Sequence, residues 1–543
     1  MFEKQLPAHP NLEQYKKQAK DLVRDANLRL PEALSRFHRN HPHVHKLSPV
    51  QLNALRVSLT EAQLVLAREH GFESWPKFAH YIETQALIES VASLGDPVST
   101  FLEVATIPRH TGHSSGTLQH AEMIIARYPQ VATANIYSAA VLADDALVRR
   151  FLATHPALAT ARGGPLGWDA LTYLSFSRYL RLDKSRSEAF VHTARTLLDA
   201  GASADTGWHE TIDHPNPRQI LESALYGVAG IAQHAKLTRL LLERGADPND
   251  EETPYHVPES YDNTVLKVLL ESGRLNPKSL ACIAIRKADW HDEAGLQLAL
   301  EHGANPNFQE QFGHSPLHHS ILRDNSLEMI QMLLDRGGDP YLVSTRYGQS
   351  AIALAARRGR ADALALFQKR HFSLDLAPLD RLIAACAYAD RTTALEMIGA
   401  DPRLKAQLLA QGGTLLAEFA GNGNLEGVRT LLDLGIPANA LYHEGDGYFG
   451  VAMLSTALHV AAWRARHPVV KELIARGAPV GALDGQGRTA LALAVQACVD
   501  SYWKNRRAPD SVQALLEAGA TTDGITLPCG YDAIDALLLP GNS

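Results

Sequence analysis

Cysteine is scarce in this chain, and its four residues, Cys282, Cys386, Cys498 and Cys529, lie far apart. No pair is spaced as C-x-x-C, which excludes a disulfide framework or a cysteine zinc site as the organising device and fits a reducing compartment. Long apolar runs are also missing. No stretch of about 18 apolar residues exists to span a bilayer. The opening "MFEKQLPAHPNLEQYKKQAK" has no apolar core of a signal peptide. A cytoplasmic location is expected, with no membrane partner. Excess charge of either sign is absent too: the formal net charge is −7 over 543 residues, giving no general reason to seek nucleic acid.

Catalytic signatures are equally lacking. There is no G-x-S-x-G, no phosphate loop and no dinucleotide fingerprint. His209-Glu210 with His214 approaches a zinc-protease motif, but the second histidine is five residues on, where one helix face needs four. His256, Asp289, His291 and Asp292 add polar groups to a possible metal-dependent site in the loops of 204–292. "KADWHD" (287–292) reads as a helix start with Asp289 as its cap. No enzyme activity, metal or cofactor is expected.

What is present is a period. Helix ends align as "LLDAGASAD", "LLERGADPN", "ALEHGANPN", "LLDRGGDPY", "LLDLGIPAN", "LIARGAPVG" and "LLEAGATTD". Their glycines are Gly201, Gly245, Gly303, Gly337, Gly435, Gly477 and Gly519, at spacings of 44, 58, 34, 98, 42 and 42. Each supplies a left-handed residue that ends a helix. Upstream, "GHSPLHHSILRDNSLEMIQMLL" (313–334) reads as turn, short helix, loop and longer helix, with apolar residues at helical spacing. A lone pair cannot bury such a stripe, whereas stacked pairs can.

The motifs Ser315-Pro316-Leu317-His318 and Thr456-Ala457-Leu458-His459, with the 34-residue spacing, resemble the ankyrin-repeat family. The whole string, including "REHGFESWPKF", is similar to a group of bacterial ankyrin-repeat proteins without an assigned biochemical activity. The resemblance implies an all-α solenoid over 91–543, of about eleven helix pairs with long β-hairpin fingers and a C-terminal cap near 531–540. It also gives Ser315, His318, Thr456 and His459 a structural role in holding turns.

Residues 1–90 stand apart as a small helical unit. Leu12, Tyr15, Ala19, Leu22 and Val23 mark one amphipathic helix, Ser48-Pro49 starts another, Thr60 and Gln63 pair as a capping box, and Ser74 caps a last one. Its first 47 residues carry nine Lys/Arg against five acids, plus His38, His41, His43 and His45. A polyanion or metal site there is the alternative to a solvated loop. It lacks aromatic interleaving, so nucleic acid is disfavoured.

The repeat breaks in three long fingers, 204–218, 247–262 and 441–454, with shorter ones at 308–315 and 341–350. The second holds six acids, two tyrosines, three prolines and no Lys or Arg. Rings are rare here, at 7% of residues, yet they concentrate in the fingers. The expectation is an acidic, aromatic wall binding a basic or mixed protein segment. Its residues are Trp208, Glu210, Glu251, Glu252, Tyr255, Tyr261, Phe312, Tyr442, Glu444, Tyr448 and Phe449. The competing expectation is that the rings fold back as small local cores. The sequence sets no oligomeric state.

Overall fold

The computed structural model describes residues 4–7, 9–44, 48, 57–107, 116–212, 217–309, 312–525 and 529–538. The chain is mostly helical and falls into two compact units, 1–253 and 254–543. The junction expected near residue 90 lies inside the first.

The N-terminal helices are Leu12–Asn27, Pro31–Asn40, Leu59–Glu69 and Trp75–Ala92. Asn11 caps the first by accepting from the amides of Glu13 and Gln14. Ala19, Leu22, Phe37, Val65 and Leu66 close one small core, and Tyr15, Phe78 and Ile82 another. The capping box is Ser58 with Glu61, two residues before the expected Thr60 and Gln63. Both pairs satisfy the S/T-x-x-E/Q pattern. The helix therefore starts at Leu59 and turns Ala62, Val65 and Leu66 into the core. Of the histidine cluster, His41 is buried and accepts from the amide of His43, while His45 lies outside the described residues, as does Pro49.

Within each unit the repeats stack as the periodicity demands. In residues 1–253 the short helix Ile136–Val141 packs on Ala170–Ser175, and the longer Asp145–Thr154 packs on Ser187–Asp199, which meets Ala235–Glu243. In residues 254–543 the inner helices Pro277–Asp289, Pro316–Leu322, Ala351–Arg357 and Pro378–Ala387 follow one another. Gly412–Asn422, Ala457–Trp463 and Ala490–Val499 continue the row, each backed by an outer helix. An inner helix is covered from both sides, so six residues in succession, Ala351 to Ala356, are buried. The 98-residue spacing from Gly337 to Gly435 holds three helix pairs, beginning at Ala351, Pro378 and Gly412.

All seven aligned glycines are left-handed, among them Gly245 at φ 104°, Gly303 at 94°, Gly337 at 83° and Gly477 at 79°. The two tetrapeptides hold turns. Ser315 and His318 form a capping box, and His318 Nε2 lies 2.8 Å from the Leu342 carbonyl of the next unit. Thr456 and His459 repeat this, with His459 Nε2 at 3.0 Å from the Ala482 carbonyl.

The three long fingers differ. Gly207–Ile212 pairs antiparallel with Arg218–Ser223, and Leu441–Tyr442 pairs with Ser455–Thr456, bridged again at Asp446 and Val451. The 247–262 segment is no hairpin: it holds the short helix Glu252–His256. Asp250 nucleates it, accepting from the Thr253 amide at 2.7 Å and the Thr253 hydroxyl at 2.8 Å, with Ser223 Oγ as a third donor.

That carboxyl carries a pH signature. Burial pushes Asp250 up to about 6 against these donors. The folded chain therefore keeps a proton that the unfolded chain releases near pH 4. The resulting stabilisation is complete below that pH and lost as pH rises through about 6, at most roughly 2–3 kcal/mol. Asp250→Asn should abolish this slope. In calorimetric scans the difference between wild type and variant should change between pH 4 and 6.5 and stay level above; parallel curves throughout would refute the assignment.

Candidate functional site: an aromatic groove

The residues expected on outward-facing fingers have diverse fates. Trp208 is 3% exposed. Its ring stacks on Trp168 at 5.4 Å and 17° and meets Phe176 edge-on. The cause is local: strand alternation turns Trp208 inward, and Gly207 lets the strands close, since a Cβ there would sit 2.3 Å from the Glu222 carbonyl oxygen. His209 and Glu210 lie on this strand, so the helix face that a zinc-protease motif requires does not exist, and His214 lies outside the described residues. Glu251 is exposed at φ 71°, 3.9 Å from Arg218, and Glu252 opens the short helix.

In residues 254–543, Tyr255 lies beneath the Arg286 guanidinium at 4.1 Å. Tyr442 is buried and donates to Glu418 at 3.0 Å, and Phe449 is buried under Arg464 at 4.1 Å. Phe312 is half-buried beside His314. Glu444 is exposed and accepts from Thr414. Thus Trp208, Tyr442 and Phe449 are anchors of their own loops, as the competing expectation held. Tyr261 and Tyr448 keep their rings 59% and 39% exposed while their hydroxyls are hydrogen-bonded.

These two share a groove of about 900 Å³ with Trp290, Trp463, Tyr502 and Trp503, floored by Phe449. The 441–456 hairpin folds back along the inner helices to make it. Tyr448 OH donates to the Asp289 carbonyl, and its ring lies 3.8 Å from the Arg323 guanidinium. Tyr261 OH donates to the Trp290 carbonyl, and Trp463 Nε1 to the Phe449 carbonyl. Tyr502 meets His291 at 5.4 Å and Trp503 edge-on.

Sequence reasoning missed Trp290, Trp463, Tyr502 and Trp503. All four stand at or just beyond the ends of inner helices, and after Trp290 and Trp463 the chain turns through a left-handed residue. That residue is His291, Asp324, Gly359, Ala389, Gly423 or Ala465 in successive units. Aligning the chain on this second turn, instead of on the outer-helix glycine, would have brought Trp290 and Trp463 into register.

The same turns carry a buried ionic lattice behind the groove. Asp324 accepts two bonds from Arg358 at 3.0 Å each and one from Arg464 at 2.7 Å. Arg358 also reaches Glu418 at 2.9 Å. Asp289 receives Arg286, Arg323 and His319 at 2.6, 2.7 and 2.8 Å. Burial would raise both aspartates, but the surrounding cations outweigh it and hold them far below the ordinary carboxylate range. Asp289 closes its helix instead of starting the next; the cap of Glu293–Glu301 is Asp292, which accepts from the Gly295 amide.

His319 Nδ1 lies 2.8 Å from His314 Nε2, continuing the row from Asp289. The row ends at 2.9 Å on the Phe312 carbonyl, so it delivers no proton to or from a hydroxyl or thiol nucleophile. Burial keeps the His314 imidazole down at about 3. Among the described residues no three His, Cys, Asp or Glu side chains gather as metal ligands, and no helix is long and apolar enough to cross a membrane.

Comparison with known proteins agrees with this architecture. A family described as ankyrin repeats (three copies) matches residues 282–375, and a single ankyrin repeat matches 454–485. Human BCL-6 corepressor-like protein 1 is 42% identical over 78 residues, 14% of this chain and 4% of that protein. Putative ankyrin repeat protein L86 of Acanthamoeba polyphaga mimivirus is 34% identical over 116 residues, 20% of this chain and 18% of the viral one. The chain therefore spans a small part of the curated relatives it matches. Among solved structures, the ankyrin repeat domain of Bcl-3 covers 43% of this chain and 97% of its own at 20% identity, with a TM-score of 0.18. The matched segments begin in the inner helix at Cys282 and include both capping tetrapeptides: the chain carries ankyrin repeats.

Proposed function

We propose that this protein is a protein-interaction scaffold, a bacterial, cytoplasmic ankyrin solenoid of about eleven helix pairs. On this reading residues 1–90 form a helical cap, the loops serve as hairpin fingers, and the chain performs no chemistry of its own. Its docking site is the aromatic groove of residues 254–543, not a wall of acidic fingertips. One observation carries this: an open groove of about 900 Å³ in which Tyr261 and Tyr502 remain 59% and 56% exposed. Rings left in water beside other rings mark surfaces that a partner covers. The hydrogen-bonded hairpin and the ionic lattice hold the groove in shape beforehand, so docking loses little loop entropy.

The test is a comparison of ring deletions. Tyr261→Ala with Tyr502→Ala should abolish co-purification of the partner from native lysate. The stability of residues 254–543 should change by less than about 0.5 kcal/mol per site, as at other surface positions. Tyr341→Ala, at a 40% exposed ring that does not line the groove, should retain the partner. Equal retention by both variants would place the interface elsewhere.

A further inference from the structure

The groove's charge identifies the partner's sign. The one carboxylate among the described residues that line it, Asp289, is already engaged, and so are several nearby. Asp289 and Asp324 are each met by two arginines. Glu418 is held by Arg358 and Tyr442. Glu259 is paired with Arg286 and His256. Asp446 caps its own turn through the amides of Tyr448 and Phe449, and Asp262 caps Thr264. The rings are likewise engaged from behind: Arg323 lies against Tyr448, Arg464 against Phe449, and both Arg464 and Arg506 lie 5.0 Å from the Trp503 ring centre. A cationic partner segment would find the lining carboxylate already paired with two arginines and ring faces that already carry guanidinium groups.

The cations show the opposite balance. Lys504 lines the groove, exposed, next to Trp503. Among the described residues neither Lys504, Arg506, Arg507 nor Arg466 has a carboxylate within ion-pair distance. Arg506 Nη1 donates to the Arg464 carbonyl, Arg507 Nη2 to the Ser501 carbonyl and Arg466 Nε to the Gly421 carbonyl. Arg466 lines a polar cleft with Asp324, Arg360, Asn422 and Asn424, and Arg464 runs between that cleft and the groove. Burial and the neighbouring Arg506 and Arg464 push the Arg466 guanidinium down to about 9, a direction that a bound anion would reverse.

We infer that the groove takes an acidic peptide segment, with an apolar or aromatic side chain set among Tyr261, Tyr448 and Tyr502 and a carboxylate against Lys504. This rests on the groove being the docking site, as proposed above, and reverses the basic partner that the acid-rich 247–262 segment suggests on sequence alone. The rings supply the apolar contact, and the unpaired cations set sign and register.

A random 12-residue peptide display selection on the full chain tests it. Enriched peptides should carry net negative charge and at least one apolar or aromatic residue. Their affinity, read by fluorescence anisotropy, should fall about tenfold in Lys504→Glu and disappear in Tyr261→Ala/Tyr502→Ala, with thermal midpoints unchanged. Peptides of neutral or positive charge that still need the tyrosines would overturn this inference and leave the groove standing. Peptides indifferent to the tyrosines, or no enrichment at all, would remove both. Displacement of the acidic peptides by micromolar oligo-dT at physiological salt would make the ligand a nucleic acid, overturning the peptide assignment.

Discussion

Asp324→Ala should lower the stability of residues 254–543 by about 3–5 kcal/mol, the loss typical when one member of a buried ionic cluster is removed. The side chain is 6% exposed and its partners Arg358 and Arg464 are 7% and 3% exposed, so the variant strands two guanidinium groups in the interior. Asp362→Ala, whose carboxylate is 48% exposed beside Arg360, should cost less than about 1 kcal/mol. Tryptophan emission during urea unfolding reports on both units, and the part that comes from residues 254–543 is carried by Trp290, Trp463 and Trp503, which all line the groove. A loss at Asp324 no larger than at Asp362 would show that the lattice contributes nothing special. The pH dependence has a definite sign. Because Asp324 and Asp289 are depressed in the folded state, their stabilisation is present above about pH 4, the unfolded carboxylate value. It disappears only as pH falls toward their lowered folded values. In the Asp324 variant that acid-side loss should shrink.

This lattice also shows where a sequence stops being legible. The outer turns were readable because glycine there has one physical meaning: all seven aligned glycines adopt positive φ. The capping tetrapeptides were readable through the resemblance to the ankyrin-repeat family, which implies that the hydroxyl and the histidine three residues on hold the turn. The inner turns use His291, Asp324, Ala389 and Ala465 in the same left-handed geometry. Such varied residues leave no common signature. Arg323, Arg358 and Arg464 precede or flank these turns and look like ordinary solvated arginines in the string. Only stacking reveals that they face aspartates some 34 to 140 positions away in the chain.

The fingers failed differently. Their composition was read correctly, but a loop has no period that says which way a ring points. Acids in a loop are ambiguous as well. Asp250, Asp262 and Asp446 all serve as local caps. A tally of charges therefore could not show that three of these acids are turned onto backbone amides of their own loops.

Trp208→Ala should be among the most damaging single changes in residues 1–253, costing about 3–5 kcal/mol. The indole stacks on Trp168 and abuts Phe176, which itself meets Tyr226 edge-on, so its removal opens a cavity inside an aromatic cluster. Gly207 has already brought the two strands together, which leaves the backbone little room to collapse into the void. Trp208→Phe keeps most of the stacking and should lose only about 1–2 kcal/mol. Both variants, assayed well below their melting temperatures, should still capture acidic peptides as wild type does, because the ring is a core element and touches no ligand. Urea unfolding followed by circular dichroism, paired with anisotropy on the same samples, separates the two roles. A Trp208→Ala protein that unfolds like wild type but no longer binds would mean that the ring faces outward, and that the loops of residues 1–253 take part in recognition after all.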